Sequence, residues 1–531
     1  MKMRFLLYVW VFVTLAACGG GNPVSDVSVL HRGNGEEPES LDVHKSSSTE
    51  AGHVLRDLGE GLVGYSPTGE LVPAAAESWS VSGDGIEYVF KLRADGRWSN
   101  GDPVTAADFV YSYRRLVDPD TAAVYVQSVA EVDNAAEIMA GDAEPDMLGV
   151  EALGPQHLKI RLSRPVPYFI SLLTHPSMFP VHRGSIEVHG AGHARPGNLV
   201  TNGAYRLLEW QVGGYIEIER NAFYWDNANT AIDRVRHYVT PEPMVELNRY
   251  RAGELHITRT IPPESFSQMR AERPDEVRVS PALGIYYYGF NMTKPPFADS
   301  PRLRQALSMA VDRETIVEIV GRGEQAAYSF VPDGTANYGP STYSWATMTQ
   351  AERNHTARQL YREAGYSDAK AAEFEIRYNT NDTHRQIAVA IQSMWENVLG
   401  ARVTLVNEEF QVLLANMQAR QVTQVFRANW NGDYNDAHTF LSTLETDNPA
   451  NFTGYASEDF VELMERAATQ TDLGRRRLYL EEAEREMLDD HPLIPIYFYV
   501  NKNMVSPKVR GWGDNVLNYH YSQHLSFATN Q

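Results

Sequence analysis

The chain of 531 residues contains a single cysteine, Cys18. An internal disulfide is therefore excluded, and the folded state is held together without that cross-link. With 43% hydrophobic residues, the chain has material for two or three domains. It has no low-complexity tract and no repeat of the length that builds solenoids or propellers.

The residues before the cysteine explain its presence. Met1-Lys2-Met3-Arg4 is a basic start, Phe5 to Leu15 is apolar apart from Thr14, and Leu15-Ala16-Ala17 leads into Cys18. This is the order of a secretory signal. The apolar run is about eleven residues, well short of the roughly 20 that span a bilayer. Leu-Ala-Ala-Cys resembles the bacterial lipobox, whose cysteine is acylated and becomes the first mature residue. The resemblance implies a signal peptide over 1–17, lipidation at Cys18 and a tether over 18–26, with Gly19-Gly20-Gly21-Asn22-Pro23 as its flexible part. The expected location is periplasmic or at the cell surface, bound to a lipid bilayer through the acylated Cys18.

Subtracting 68 acidic from 47 basic residues gives a net charge of −21. Such a balance argues against nucleic acid and anionic membrane surfaces as partners.

Helical and strand patterns alternate along the chain, which predicts a mixed α/β fold with several sheets. His53–Leu62 reads as a helix. Glu87–Leu92 alternates as a half-buried strand after an Asp84-Gly85 turn. Thr105, with Asp108 three residues on, is a helix start, and Asp312 is a second cap. Tyr215–Glu219 and Glu276–Val279 alternate as strands. Ile387, Ile391, Met394, Trp395 and Val398 mark one face of a helix over His384–Gly400, ended by Gly400. Val403 and Leu405 then read as a strand. Ile494 and Ile496 mark another, and Pro495 argues that it lies at an edge.

Motifs for catalysis are weak. Gly59-x-Gly61-x-x-Gly64 follows a helical pattern and precedes a turn, the reverse of what a dinucleotide site needs. Gly64 to Gly69 has phosphate-loop spacing, but Glu70 follows where lysine is required. His520 and His524, four apart, could share a helix face but have no nearby carboxylate motif. There is no G-x-S-x-G and no H-E-x-x-H, and Cys18 is taken by the anchor. No enzymatic activity, cofactor or metal is expected.

Several blocks together resemble the oligopeptide-binding proteins of ABC importers, extracellular solute-binding family 5. They are Glu37–His44, Leu71–Trp79, Trp98–Val110, Asn202–Leu207, Arg302–Leu307 with Val311-Asp312-Arg313, and Asp433-Tyr434-Asn435-Asp436. They occur in the family's order across nearly the whole mature chain. The resemblance implies an α/β, two-lobed periplasmic-binding-protein fold with a hinge and an extra third domain. It implies lobe I from 27–60, 186–282 and 501–531, an extra domain II over 61–185 and lobe III over 283–500. The implied partners are short peptides and the membrane permease of an ABC importer, and the protein is expected to be a monomer.

A receptor for peptides of varied sequence must hold what all peptides share: the backbone, the amine and the carboxylate. Backbone groups can pair with receptor strands, and both end charges need partners once buried. By the resemblance, Asp433 receives the peptide amine. Its neighbours Gly432, Asn431, Asn435 and Asp436 by themselves suggest only a turn. Arg427 and His384 match positions that meet the peptide carboxylate, for which arginine offers a two-pronged fork. A third family cation falls near Gly321, with Arg322 adjacent, so the favoured peptide length does not carry over. Trp430 and Tyr125 match residues along the side-chain path. Ser47, Ser48 and Thr49 match the stretch that pairs with the peptide backbone. Ser47 stands where the family has an acid, and Asn431 where it has a small residue, so side-chain preference does not carry over either. The alternatives are a non-peptide solute (a nickel chelate, haem, a sugar or an antimicrobial) on the same scaffold, or an envelope peptidase.

Overall fold

Residues 27–528 are described in the computed structural model; the signal segment over 1–17 and the tether over 18–26, Cys18 included, lie outside them. Three sheets, each with its own apolar core, organise the described chain.

In the first sheet Val29–Gly35 pairs in parallel with Arg234–Val239, followed antiparallel by Tyr215–Arg220 and Tyr205–Gln211. Period-two alternation turns Ile216 and Ile218 into the core. The helix Thr49–Leu58 adds Ala51, Val54, Leu55 and Leu58 to the same core, at the spacing of one helix face. Ser48 caps this helix by accepting from the Ala51 N–H at 3.1 Å. Val505, Val509 and Leu525, from the far end of the chain, complete the core.

The second sheet is antiparallel throughout, in the order Ala76–Val81, Glu87–Leu92, His157–Arg161, Val150–Gly154. The helix Ala106–Val117 lays Phe109, Tyr113 and Leu116 against its Phe90 and Ile160. At the helix start the Asp108 carboxylate accepts from the Thr105 N–H at 2.7 Å and the Thr105 hydroxyl at 2.8 Å.

The third sheet has six strands, in the order Gln325–Ala326, Leu493–Met504, Val277–Phe290, Val425–Asn431, Glu373–Asn379, Arg402–Glu408. Glu373–Asn379 runs parallel to both of its neighbours, as expected where the helix Asp382–Leu399 makes the crossover to Arg402–Glu408. Gly400, at φ 68°, ends that helix in the left-handed conformation.

Two long strands tie this sheet to the rest. Val277–Phe290 and Leu493–Met504 pair from Val277 opposite Met504 to Gly289 opposite Leu493, with a register shift between Pro281 and Ile285. Val277, Val279 and Met504 pack with Leu247, Tyr250 and Phe266 in a small separate core. Ile285–Phe290 and Leu493–Phe498 belong to the core of the third sheet. The strands thus run from one core into another, and the ladder between them is irregular at the crossing.

Three readings are corrected. The helix read as His53–Leu62 spans Thr49–Leu58. It starts earlier because Ser48 caps it, and it stops at Gly59, whose extended backbone leads into the strand Val63–Tyr65. The strand of Pro495 is not outermost: Gln325–Ala326 pairs with it at Phe498 and Tyr497 and stops short of the proline, whose missing N–H therefore takes nothing from that pairing. His520 and His524 share no helix face; His520 stacks on Trp512 at 3.4 Å and His524 lies in a 3-10 turn.

Candidate functional site

A cavity of about 610 Å3 lies where the three units meet. The helix Thr49–Leu58 presents Thr49, Gly52 and Arg56 to it, about four residues apart and opposite the face packed into the first core. Tyr125, Ser128 and His175 come from the second unit, Asp433 and Tyr434 from the third, and Tyr519 from the C-terminal segment. Among the lining residues the only carboxylate is Asp433 and the only guanidinium is Arg56.

Of the sequence-derived candidates, Ser47, Ser48, Thr49, Tyr125 and Asp433 line this cavity. The Tyr125 hydroxyl donates to the Ser47 carbonyl at 3.2 Å, and its ring meets His175 edge-on at 4.5 Å. The N–H groups of Ser47 and Ser48 are already engaged by the Glu39 carboxylate, the second at 2.8 Å. Glu39 is opposed by desolvation, but the donors from Ser48 and Ser47 outweigh it and hold its pKa at about 2. Sequence reasoning passed over Glu39, although it lies in a block that was singled out.

Asp433 lies in a bend just past the strand Val425–Asn431. Its N–H donates to the Thr439 hydroxyl at 3.2 Å, while its carboxylate has no partner among the described residues. Burial raises its pKa. The bend is fixed from behind. Asp436 takes two hydrogen bonds from Arg476, at 2.7 and 2.8 Å, and Asn435 accepts from the Ala336 N–H at 2.9 Å. Gly432 donates to the Leu283 carbonyl at 2.8 Å, beside the irregular crossing. Trp430 is half-buried, with Nε1 3.4 Å from the Thr439 hydroxyl, and Asn431 is exposed at the strand end opposite Gly284.

Arg427, His384 and Arg322 gather elsewhere in the third unit. Arg427 is 6% exposed and lies over the Tyr286 ring at 4.6 Å. It reaches Asn379 Oδ1 at 3.3 Å, its Nε has no partner, and no carboxylate among the described residues pairs with it. Tyr286 links to His384 Nδ1 at 3.3 Å. Burial, and then the Arg427 charge, push the His384 pKa down to about 3, so at neutral pH its ring is uncharged. Arg322 bonds the Thr383 hydroxyl at 3.1 Å, one residue from His384. Among the described residues the arrangement presents Asp433 as a carboxylate without a cation, and two buried guanidinium groups without a carboxylate: Arg56 on the same cavity and Arg427 apart from it.

Aromatic contacts cross between the second and third units. Tyr168 stacks on Tyr434 with ring centroids 4.5 Å apart and 10° between planes, and Tyr434 bonds His438 Nδ1 at 2.8 Å.

The family model "Bacterial extracellular solute-binding proteins, family 5 Middle" matches residues 70–452. The periplasmic oligopeptide-binding protein OppA of Escherichia coli is 38% identical over 522 residues, covering 97% of this chain and 95% of that one. The unliganded open form of the periplasmic murein tripeptide binding protein MppA superposes with a TM-score of 0.91 at 36% identity, covering 95% and 98%. Haemophilus influenzae OppA in complex with the peptide RPPGFSPFR, also 36% identical and covering 94% and 99%, gives 0.68. Equal identity with unequal superposition points to a difference in arrangement rather than in fold. These relatives are binding proteins, not enzymes, and their two-lobed fold is the fold found here. The chain belongs to family 5 of the bacterial extracellular solute-binding proteins.

Proposed function

We propose that this protein captures short peptides between two lobes outside the cytoplasm and delivers them to the membrane permease of an ABC importer, while an acylated Cys18 holds it to the bilayer. The observation that carries the reading is the pair of opposite charges left without partners. Asp433 is a carboxylate with no cation, and Arg427 is a buried guanidinium with no anion, among the described residues. A buried charge without a partner is costly, and a zwitterionic peptide supplies both complements.

In this reading Asp433 receives the amine. Arg427 takes the carboxylate, with neutral His384 as a hydrogen-bond donor and Arg322 nearby. Ser47, Ser48 and Thr49 meet the backbone, while Tyr125, Trp430 and Asn431 border the side chains. Lobe I is 27–60, 186–282 and 501–531, the extra domain is 61–185 and lobe III is 283–500. The long paired strands Val277–Phe290 and Leu493–Met504 are the hinge about which the lobes close. The protein acts as a monomer in the periplasm or at the cell surface, where relatives named periplasmic reside.

Mass spectrometry of small molecules released by denaturing the purified protein tests this. A mixed set of short peptides is the expected result; a single non-peptide mass overturns it.

A further inference from the structure

Arg56 stands apart from the charges assigned above. The residue is 8% exposed, yet its side chain forms no hydrogen bond and no ion pair among the described residues, and its buried Nε has no partner. It lines the same cavity as Asp433.

The carboxylates around it are committed elsewhere. Asp57, next in sequence, accepts from the Ser522 N–H at 2.7 Å and pairs with His237 at 3.2 Å. Glu50 pairs with Arg259 at 2.7 Å. Two features hold the guanidinium in place without an anion. It lies over the Tyr519 ring at 3.6 Å, and it sits in the last turn of its helix, where the carbonyl ends favour a cation. One turn earlier, a Cβ on Gly52 would meet Arg56 Nη1 at 2.8 Å, so the glycine leaves the guanidinium its room.

We infer that Arg56 is a subsite for a carboxylate side chain close to the ligand's amine, so that the receptor prefers peptides with Asp or Glu among their first residues. A desolvated guanidinium recognises a carboxylate through its fork, and the neutral isostere leaves it unpaired. This rests on the peptide reading, because Asp433 on the same cavity defines which end of the ligand arrives there.

The test is calorimetry with alanine tetrapeptides carrying Glu or Gln at position one, two or three. The expected result is a Glu-over-Gln preference of at least tenfold at one position in the parent protein. In Arg56→Met that ratio falls to within twofold, and Arg56→Lys keeps part of it. The parent comparison stands even if Arg56→Met does not fold. Peptides that bind with ratios within twofold at every position overturn the subsite and leave the peptide reading intact, as does a preference that persists in Arg56→Met. Failure of every peptide to bind overturns both.

Discussion

Arg476 and Asp436, forty residues apart in sequence, form a buried two-pronged ion pair at 2.7 and 2.8 Å directly behind the bend that presents Asp433. Removing one partner strands the other charge in the interior. Arg476→Ala is expected to lower unfolding stability by about 3–5 kcal/mol, measured by urea denaturation. It should also weaken peptide binding although it touches no ligand, because the bend loses its support.

Asp433→Ala removes the proposed counter-charge of the peptide amine. Binding of a tri- or tetrapeptide should weaken by about 3–5 kcal/mol, as when one member of a buried charge pair is deleted. Calorimetry measures it. An N-acetylated peptide should bind the parent protein equally poorly, and unchanged affinity in both experiments would exclude the amine role.

The same carboxylate sets a pH dependence. Burial raises the Asp433 pKa in the free protein, and a bound ammonium lowers it, so the complex favours the ionised form. Affinity is therefore fully present above the free-state pKa and is lost as pH falls through it. Calorimetry from pH 7 to pH 4 should show this decline with net proton release on binding. Asp433→Asn should flatten this part of the profile.

Cys18→Ser should leave the protein in the aqueous phase of a detergent partition, whereas the parent enters the detergent phase. Intact mass should show acyl chains on the parent alone.

Peptide binding should shrink the molecule, since the arrangement here matches an unliganded open relative far better than a peptide complex. Small-angle scattering with and without tetrapeptide should show a smaller radius of gyration in the complex; an unchanged radius would exclude closure about the long strands.

Local signals were legible in the sequence where chemistry and period agreed. Glu87–Leu92 alternates and is a strand, and Thr105 with Asp108 starts a helix, because both depend on neighbours a few residues away. The first helix was misplaced because its cap, Ser48, lies in a run of serines that reads as loop, and because the helical reading was carried through Gly59, where the backbone turns extended, to Leu62. Asp433 alone reads as part of a turn, and it does lie in a bend. Only the ordered family blocks suggested a ligand for it. Arg476 and Arg56 were invisible. Each sits in an amphipathic helix where an arginine ordinarily marks a solvated face, and what sets them apart is a partner, or the lack of one, contributed by distant segments.

The Glu39 carboxylate that holds the N–H groups of Ser47 and Ser48 has a consequence for selectivity. A peptide carbonyl reaching for those donors finds them occupied and must evict a charged acceptor with a neutral one. The number of hydrogen bonds does not rise in that exchange, and their strength declines. Main-chain pairing at this edge can therefore align a ligand but adds little to its retention. Molecules with a peptide backbone and blocked ends should pass through this cleft without lingering.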